Sequence, residues 1–334
     1  MRRSADRAPV SVLFRAVAGP RRGFGHLVRC TSLARALHVP PRLSLRGGDR
    51  AQQAARALGC ELVPGGPRRA MAASACRLLV VDDPVASDAR RWIHAAQRGG
   101  RPVASVHDLG IGCLDADLVI DGSVVRARSL DACAAGLLSG PDFAVLDPGL
   151  LAWRARRVSP TGVARVLIAL GGGPHATLAA EIAEALTDAD ADIQVRIAGG
   201  FVSGGRDQLR VLPRVCWLGR TNGLAQELAR ADVAVVGGGV TLYEACALGT
   251  AAVAVPVVDA QRATIAGFVS QGAASGIVEG PVDPATVARL VIELVQDAAR
   301  RSTLRQQASR LVDGLGAMRA AAAGAQLART GTRH

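Results

Sequence analysis

The chain contains no lysine: all 40 of its basic residues are arginine, set against 28 acidic residues for a formal net charge of +12. That balance invites nucleic acid as a partner, but the arginines are spread along the chain. They form only short clusters, at Arg21-Arg22, Arg68-Arg69, Arg90-Arg91 and 154–157. Aromatic residues make up 3% of the chain, too few for the stacking platform that single strands need. No nucleic-acid partner is expected; an anionic small substrate, or peripheral contact with an anionic membrane surface, suits the charge better. Long hydrophobic runs are missing too, since no stretch approaches the ~18 uncharged apolar residues of a membrane span. Met1-Arg2-Arg3 is basic, yet Arg15 interrupts the apolar run that follows and no convincing cleavage site appears. A first strand is expected there, not a signal peptide.

The seven cysteines include no Cys-x-x-Cys pair and none has a histidine at zinc spacing. Their odd number and their placement in apolar runs predict reduced thiols in a cytoplasmic protein. A metal pair at Asp82-Asp83 is disfavoured because adjacent residues on a strand point to opposite faces and no third ligand is evident. The first glycine-rich turn lacks an intact Gly-x-Gly-x-x-Gly, because the position three beyond Gly25 is Val28. That argues against a dinucleotide dehydrogenase, and no cofactor is expected.

What is present is an alternation. Short β-branched or Leu-rich runs at 10–18, 42–45, 78–82, 102–106 and 118–121 are separated by Ala/Arg-rich amphipathic segments at 27–38, 50–58 and 87–98. In the second half, strands are expected at 164–170, 193–198, 233–236 and 252–255, and helices at 175–186, 224–229, 242–248 and 262–270. Apolar strands alternating with helices mean parallel sheets covered on both faces. The expected fold is α/β, with two Rossmann-like doubly wound domains facing a cleft. Residues 1–148 form the first domain, 149–162 a linker rich in Pro, Gly and Arg, 163–328 the second domain and 329–334 a tail.

Three turns carry the chemistry. In Gly23-Phe24-Gly25-His26-Leu27-Val28-Arg29-Cys30, glycines follow the first strand and a helix begins, placing a histidine at the ligand-binding edge of a parallel sheet. A loop histidine that merely caps the helix would give the same pattern. In Gly237-Gly238-Gly239-Val240-Thr241-Leu242-Tyr243-Glu244, three glycines end a strand; a ligand approaching the backbone closely would explain them. Thr241 can cap the helix or donate to phosphate, and Glu244 lies one turn further on. The alternative is a capped helix whose glutamate favours the positive end of the dipole. Gly171-Gly172-Gly173-Pro174-His175 repeats the strand–glycine–helix design at the start of the second domain and should face the cleft.

These turns, in this order, resemble the nucleotide-sugar hydrolase of the pseudaminic acid pathway, a family itself similar to the family 28 glycosyltransferases of the GT-B fold. Residues 23–30 match its Gly-x-Gly-His-x-x-Arg-Cys. Residues 79–83 look like its acidic strand end, and 139–146 resemble its approach to the linker. Gly238 to Glu244, followed by Gly249, Pro256 and Gln261, resemble its donor signature. The resemblance implies a UDP-sugar hydrolase of surface glycan biosynthesis acting on a modified amino or deoxy sugar. A family 28 type transferase using a UDP-sugar donor, or a non-catalytic nucleotide-sugar binder, are the alternatives. It makes His26 the base, with Gly238, Gly239 and Thr241 around the pyrophosphate and Glu244 on the ribose. Gly23, Gly25, Arg29, Gly172, Gly173 and Gln261 join them as substrate-binding residues. The chain departs from the family pattern at Pro84, His107-Asp108, Pro174 and Ala260.

Overall fold

The computed structural model describes residues 10–20, 22–107, 114–125, 136–156, 163–171, 175–190, 192–199, 213–218 and 223–331. The first half runs β1 (Val12–Val17), α1 (Gly25–Ala36), β2 (Arg42–Arg46), α2 (Asp49–Ala57), β3 (Glu61–Leu62), α3 (Pro67–Ala73), β4 (Leu78–Asp82), α4 (Ala86–Arg98), β5 (Val103–Val106), β6 (Leu118–Asp121) and β7 (Gly136–Ser139). A connecting helix α5 (Leu150–Ala155) leads to the second half. There follow β8 (Arg165–Ala169), α6 (Ala176–Ala189), β9 (Gln194–Ala198), β10 (Val215–Leu218), α7 (Ala225–Arg230), β11 (Val233–Gly237), α8 (Val240–Ala247), β12 (Ala251–Val255), α9 (Arg262–Ser270) and β13 (Ser275–Gly276). Three helices close the chain: α10 (Pro284–Gln296), α11 (Ala298–Leu311) and α12 (Gly316–Thr330).

Two parallel sheets result, ordered β3-β2-β1-β4-β5-β6-β7 and β10-β9-β8-β11-β12-β13. Both have the doubly wound arrangement in which strand order reverses beside the first strand, between β1 and β4 in one sheet and between β8 and β11 in the other. Every residue of β1, β4, β5, β6, β11 and β12 is buried, as expected for strands covered on both faces. Ligands of such sheets bind outside the carboxyl ends at the reversal, and the glycine turns that follow β1 and β11 lie at those two points. Among the described residues no helix is long and apolar enough to cross a membrane.

The last helix departs from the expected division. Residues 316–330, expected to close the second domain through 328 and begin the tail at 329, cross back: Ala317, Ala320, Ala321 and Ala328 belong to the core around β1 and α1. Gly316 makes the crossing possible, because a Cβ there would stand 2.3 Å from the Ala144 carbonyl oxygen. Arg319 fastens it by donating to the Asp142 carbonyl at 2.8 Å.

Candidate functional site

His26 sits in the first turn of α1, and Asp82 ends β4 on the other side of the strand reversal. The pairing of β1 with β4 sets Ala16 opposite Asp82, bringing together side chains 56 positions apart. His26 Nδ1 lies 2.7 Å from Asp82 Oδ1. Arg29, one turn along α1, donates from Nε to Asp82 Oδ2 and from Nη2 to Oδ1, both at 2.8 Å. Its Nη2 is also 2.7 Å from His26 Nδ1. One ring nitrogen cannot both accept from Arg29 and donate to Asp82. The carboxylate decides, since Nδ1–H donating to an anion is the stronger bond. Nε2 is then left with a free lone pair, the arrangement of a general base held in one tautomer by a buried acid.

Asp82 is fully buried, which disfavours its charge, but the Arg29 cation and His26 overcome that penalty and hold the carboxyl below the usual range. Asp83 turns to the opposite face, where Arg46 donates at 2.6 Å and Arg15 lies 3.4 Å away. The two acids thus diverge as strand geometry requires.

The second wall of the cleft is the turn from β11 into α8. None of Gly237, Gly238 and Gly239 has a positive φ, so backbone handedness does not explain them. Gly238 is required by packing: a Cβ would meet Gln261 Cβ and Ile265 Cγ1, each at 2.9 Å. Gly239 is different, since the nearest atom to a Cβ there is Gln261 Nε2 at 3.7 Å, leaving open cleft beside it. Gly239 caps α8 without a side-chain hydrogen bond, and the Thr241 hydroxyl has no partner among the described residues. Unpaired N–H groups at a helix start attract anions. Glu244 faces the same cleft, where burial, followed by the nearby Asp147, pushes its carboxyl up to about 7.

A cleft of about 1090 Å³ joins the two walls and is lined by Gly23, Gly25, His26 and Arg29 on one side and Gly239, Thr241, Glu244 and Gln261 on the other. The walls nearly touch at one place, for a Cβ on Gly25 would lie 3.3 Å from Val240 Cγ2. Two expected ligand residues are engaged by the protein itself. Arg29, expected on the substrate, is committed to Asp82. Gln261 Oε1 accepts from Gly238 N at 3.0 Å and Val257 N at 3.1 Å, so only its Nε2 remains for a ligand. Gly172 and Gly173 lie outside the described residues. His175 lines the cleft at the start of α6, and burial lowers its pKa.

Sequence reasoning missed the role of Asp82 as partner of His26, which depends on long-range strand pairing. His107 it marked only as a departure from the family pattern, not as a site residue. That imidazole is buried, with Nε2 2.9 Å from Ser105 Oγ and Nδ1 without a hydrogen-bond partner among the described residues. Burial lowers its pKa to about 4 against the opposing pull of Asp82. It lines a small cavity of about 80 Å³ between the domains with Ser123, Val145 and Tyr243. Tyr243, on α8, accepts a hydrogen bond from Val124 N at 3.0 Å and so ties the two domains together.

Residues 175–311, which include the α8 turn, match the family model of glycosyl transferases group 1. The chain is similar to the spore coat polysaccharide biosynthesis protein SpsG of Bacillus subtilis (strain 168), with 28% identity over 215 residues. That match covers 62% of this chain and 63% of the relative, so it spans less than two thirds of the relative's length. Among solved structures, MurG of Acinetobacter baumannii is similar with a TM-score of 0.64 and 16% identity, over 95% of this chain and all of that one (100%). The spinosyn rhamnosyltransferase SpnG complexed with thymidine diphosphate is similar with a TM-score of 0.64 and 17% identity, over 96% and 99% of the two chains. The architecture is the GT-B fold: two parallel-sheet α/β domains with their strand-reversal points facing one cleft.

Proposed function

We propose that the protein is a GT-B glycosyltransferase of polysaccharide biosynthesis that moves a sugar from a UDP-linked donor to a hydroxyl acceptor. The observation that carries the reading is the His26–Asp82 dyad facing, across one cleft, a helix start with free N–H groups. The diphosphate lies on Gly239, Val240 and Thr241, where partial positive charge is fixed in place before the reaction. Glu244 accepts from the ribose hydroxyls, and Gln261 holds the glycine turn in shape while its Nε2 faces the ligand. Gly23 and Gly25 keep the opposite wall thin, so that the acceptor can approach the anomeric carbon. His26 Nε2 takes the acceptor proton as the new bond to that carbon forms and the nucleoside diphosphate departs. Asp82 and Arg29 act through His26 and are positioning residues.

The match of residues 175–311 to a glycosyl transferase family supports transfer over hydrolysis, and so does the polysaccharide role named for the SpsG relative. The cleft also exceeds the ~300–1,000 Å³ that one drug-sized ligand fills, which leaves room for an acceptor beside a donor. The same dyad would activate water if no acceptor were bound, as the hydrolase resemblance of residues 23–30 implies. A panel of UDP-sugars, followed for UDP release with and without glycan or lipid-linked acceptors, separates the readings. Acceptor-dependent release is expected. Equal release into water makes the protein a hydrolase, and UDP binding without any turnover leaves only a binding protein.

A further inference from the structure

Among the described residues three arginines line the cleft, and two are neutralised: Arg29 by Asp82, and Arg35 by an ion pair with Asp147. Arg22 is the third, and it has no ion pair or side-chain hydrogen bond among the described residues. Its place is built rather than incidental. Gly19 N donates to the Gly23 carbonyl at 3.0 Å and Arg22 N to the Gly19 carbonyl at 3.1 Å, closing a tight turn between β1 and α1. Gly23, with φ +73°, lets the chain leave that turn directly into the helix. The guanidinium therefore belongs to the lip of the first domain, on the same cleft as Gly239, Val240 and Thr241 of the second. Arg22 is exposed and shares the cleft with the N-terminal ends of α1 and α8, so a bound polyanion would meet its charge and those of the two helix starts together.

We propose that Arg22 is the cation that neutralises the leaving diphosphate, contributed by the domain that also carries the base. The inference rests on the donor reading above and adds a catalytic residue to it. In the reaction the acceptor oxygen bonds to the anomeric carbon while the bond from that carbon to the diphosphate oxygen breaks. The electron pair stays on that oxygen, and the acceptor proton goes to His26 Nε2. The departing diphosphate carries one more negative charge than the esterified one. Backbone N–H groups offer only partial charges to meet it, whereas Arg22 supplies a whole one. Because that charge comes from the opposite wall, cleavage requires both domains to face the donor together.

The test is calorimetric titration of UDP and TDP, and of uridine and thymidine, into the wild type, Arg22→Ala and Arg22→Lys, followed by the UDP-release assay. For whichever diphosphate binds the wild type, Arg22→Ala should bind it about 10-fold or more weakly, with a smaller loss for the corresponding sugar donor. Nucleoside affinity should be unchanged. Turnover should fall about 10- to 100-fold in kcat with little change in KM, because the interaction strengthens as the bond breaks. Lysine should restore part of the affinity, keeping the charge but losing the fork. Diphosphate affinity of Arg22→Ala within about twofold of the wild type overturns the assignment of Arg22 alone. A wild type that binds neither diphosphate overturns the donor reading and this inference with it.

Discussion

His26, the proposed base, is held by a carboxylate 56 positions away, and that dependence can be measured. Asp82→Asn removes the charge that fixes the Nδ1–H tautomer. It should lower kcat by about 100-fold or more, at the level general-base catalysis contributes. Affinity for UDP should stay near the wild-type value, because the diphosphate is proposed to lie on the other wall. A kcat within a few-fold of wild type would remove Asp82 from the mechanism. Glu244 gives a test in the free protein. Its folded pKa, about 7, stands above the ordinary 4.5, so between these values the native state holds a proton that the unfolded chain has released. Stability from this group is therefore full below about pH 4.5 and is lost as pH rises through 7. Glu244→Gln should flatten that part of the profile and raise Tm relative to wild type at pH 8, as read by thermal melts between pH 5 and 8. A parallel decline in both proteins would place the titration elsewhere. Of these residues, His26 and Glu244 were legible in the sequence because each follows a strand–glycine–helix turn. Asp82 was visible as half of an acidic pair at a strand end but not as the partner of His26, since that partner is chosen by the β1–β4 register.

At the scale of single elements, the turn into α8 separates glycine for packing from glycine for a ligand. Gly238→Ala drives a methyl into Gln261 and Ile265 and strains the bond from Gly238 N to Gln261. Overpacking of this kind should cost about 1–3 kcal/mol of stability, visible as a lower urea midpoint. Gly239→Ala meets no such wall and should keep the wild-type midpoint, yet its methyl would project where the diphosphate is proposed to lie. Loss of UDP binding with unchanged stability is the expected result; normal binding would move the diphosphate away from Gly239. The sequence marked all three glycines alike, because the distinction depends on how closely α9 packs against the turn. Long elements were legible for the same physical reason that they are stable: their periodicity repeats over several turns or a fully apolar strand. β3 and β13, each two residues long, and β7, β10 and α5 were not anticipated. Edge strands this short have no period to detect and exist because a neighbouring strand offers hydrogen bonds.

On the scale of the whole molecule, two doubly wound domains could be read from the alternation of strands and helices, but the path of the last helix could not. An alanine-rich amphipathic segment shows that one face is buried without showing which core receives it. Removing residues 316–334 takes Ala317, Ala320, Ala321 and Ala328 out of the core around β1 and α1. The first domain should lose more than about 3 kcal/mol, through lost burial and the cavity left behind. Urea unfolding followed through Trp92 in α4 should shift to much lower urea, while the transition reported by Trp217 in β10 should move less. Equal shifts at both tryptophans would mean that the domains unfold as one unit. The returning helix also fixes an order of events during synthesis. The first domain cannot close its core until residues 316–330 have emerged from the ribosome, after the whole second sheet has been made. The second domain is then the one free to fold first, and the open groove on α1 is the surface a nascent-chain chaperone would meet in the interval.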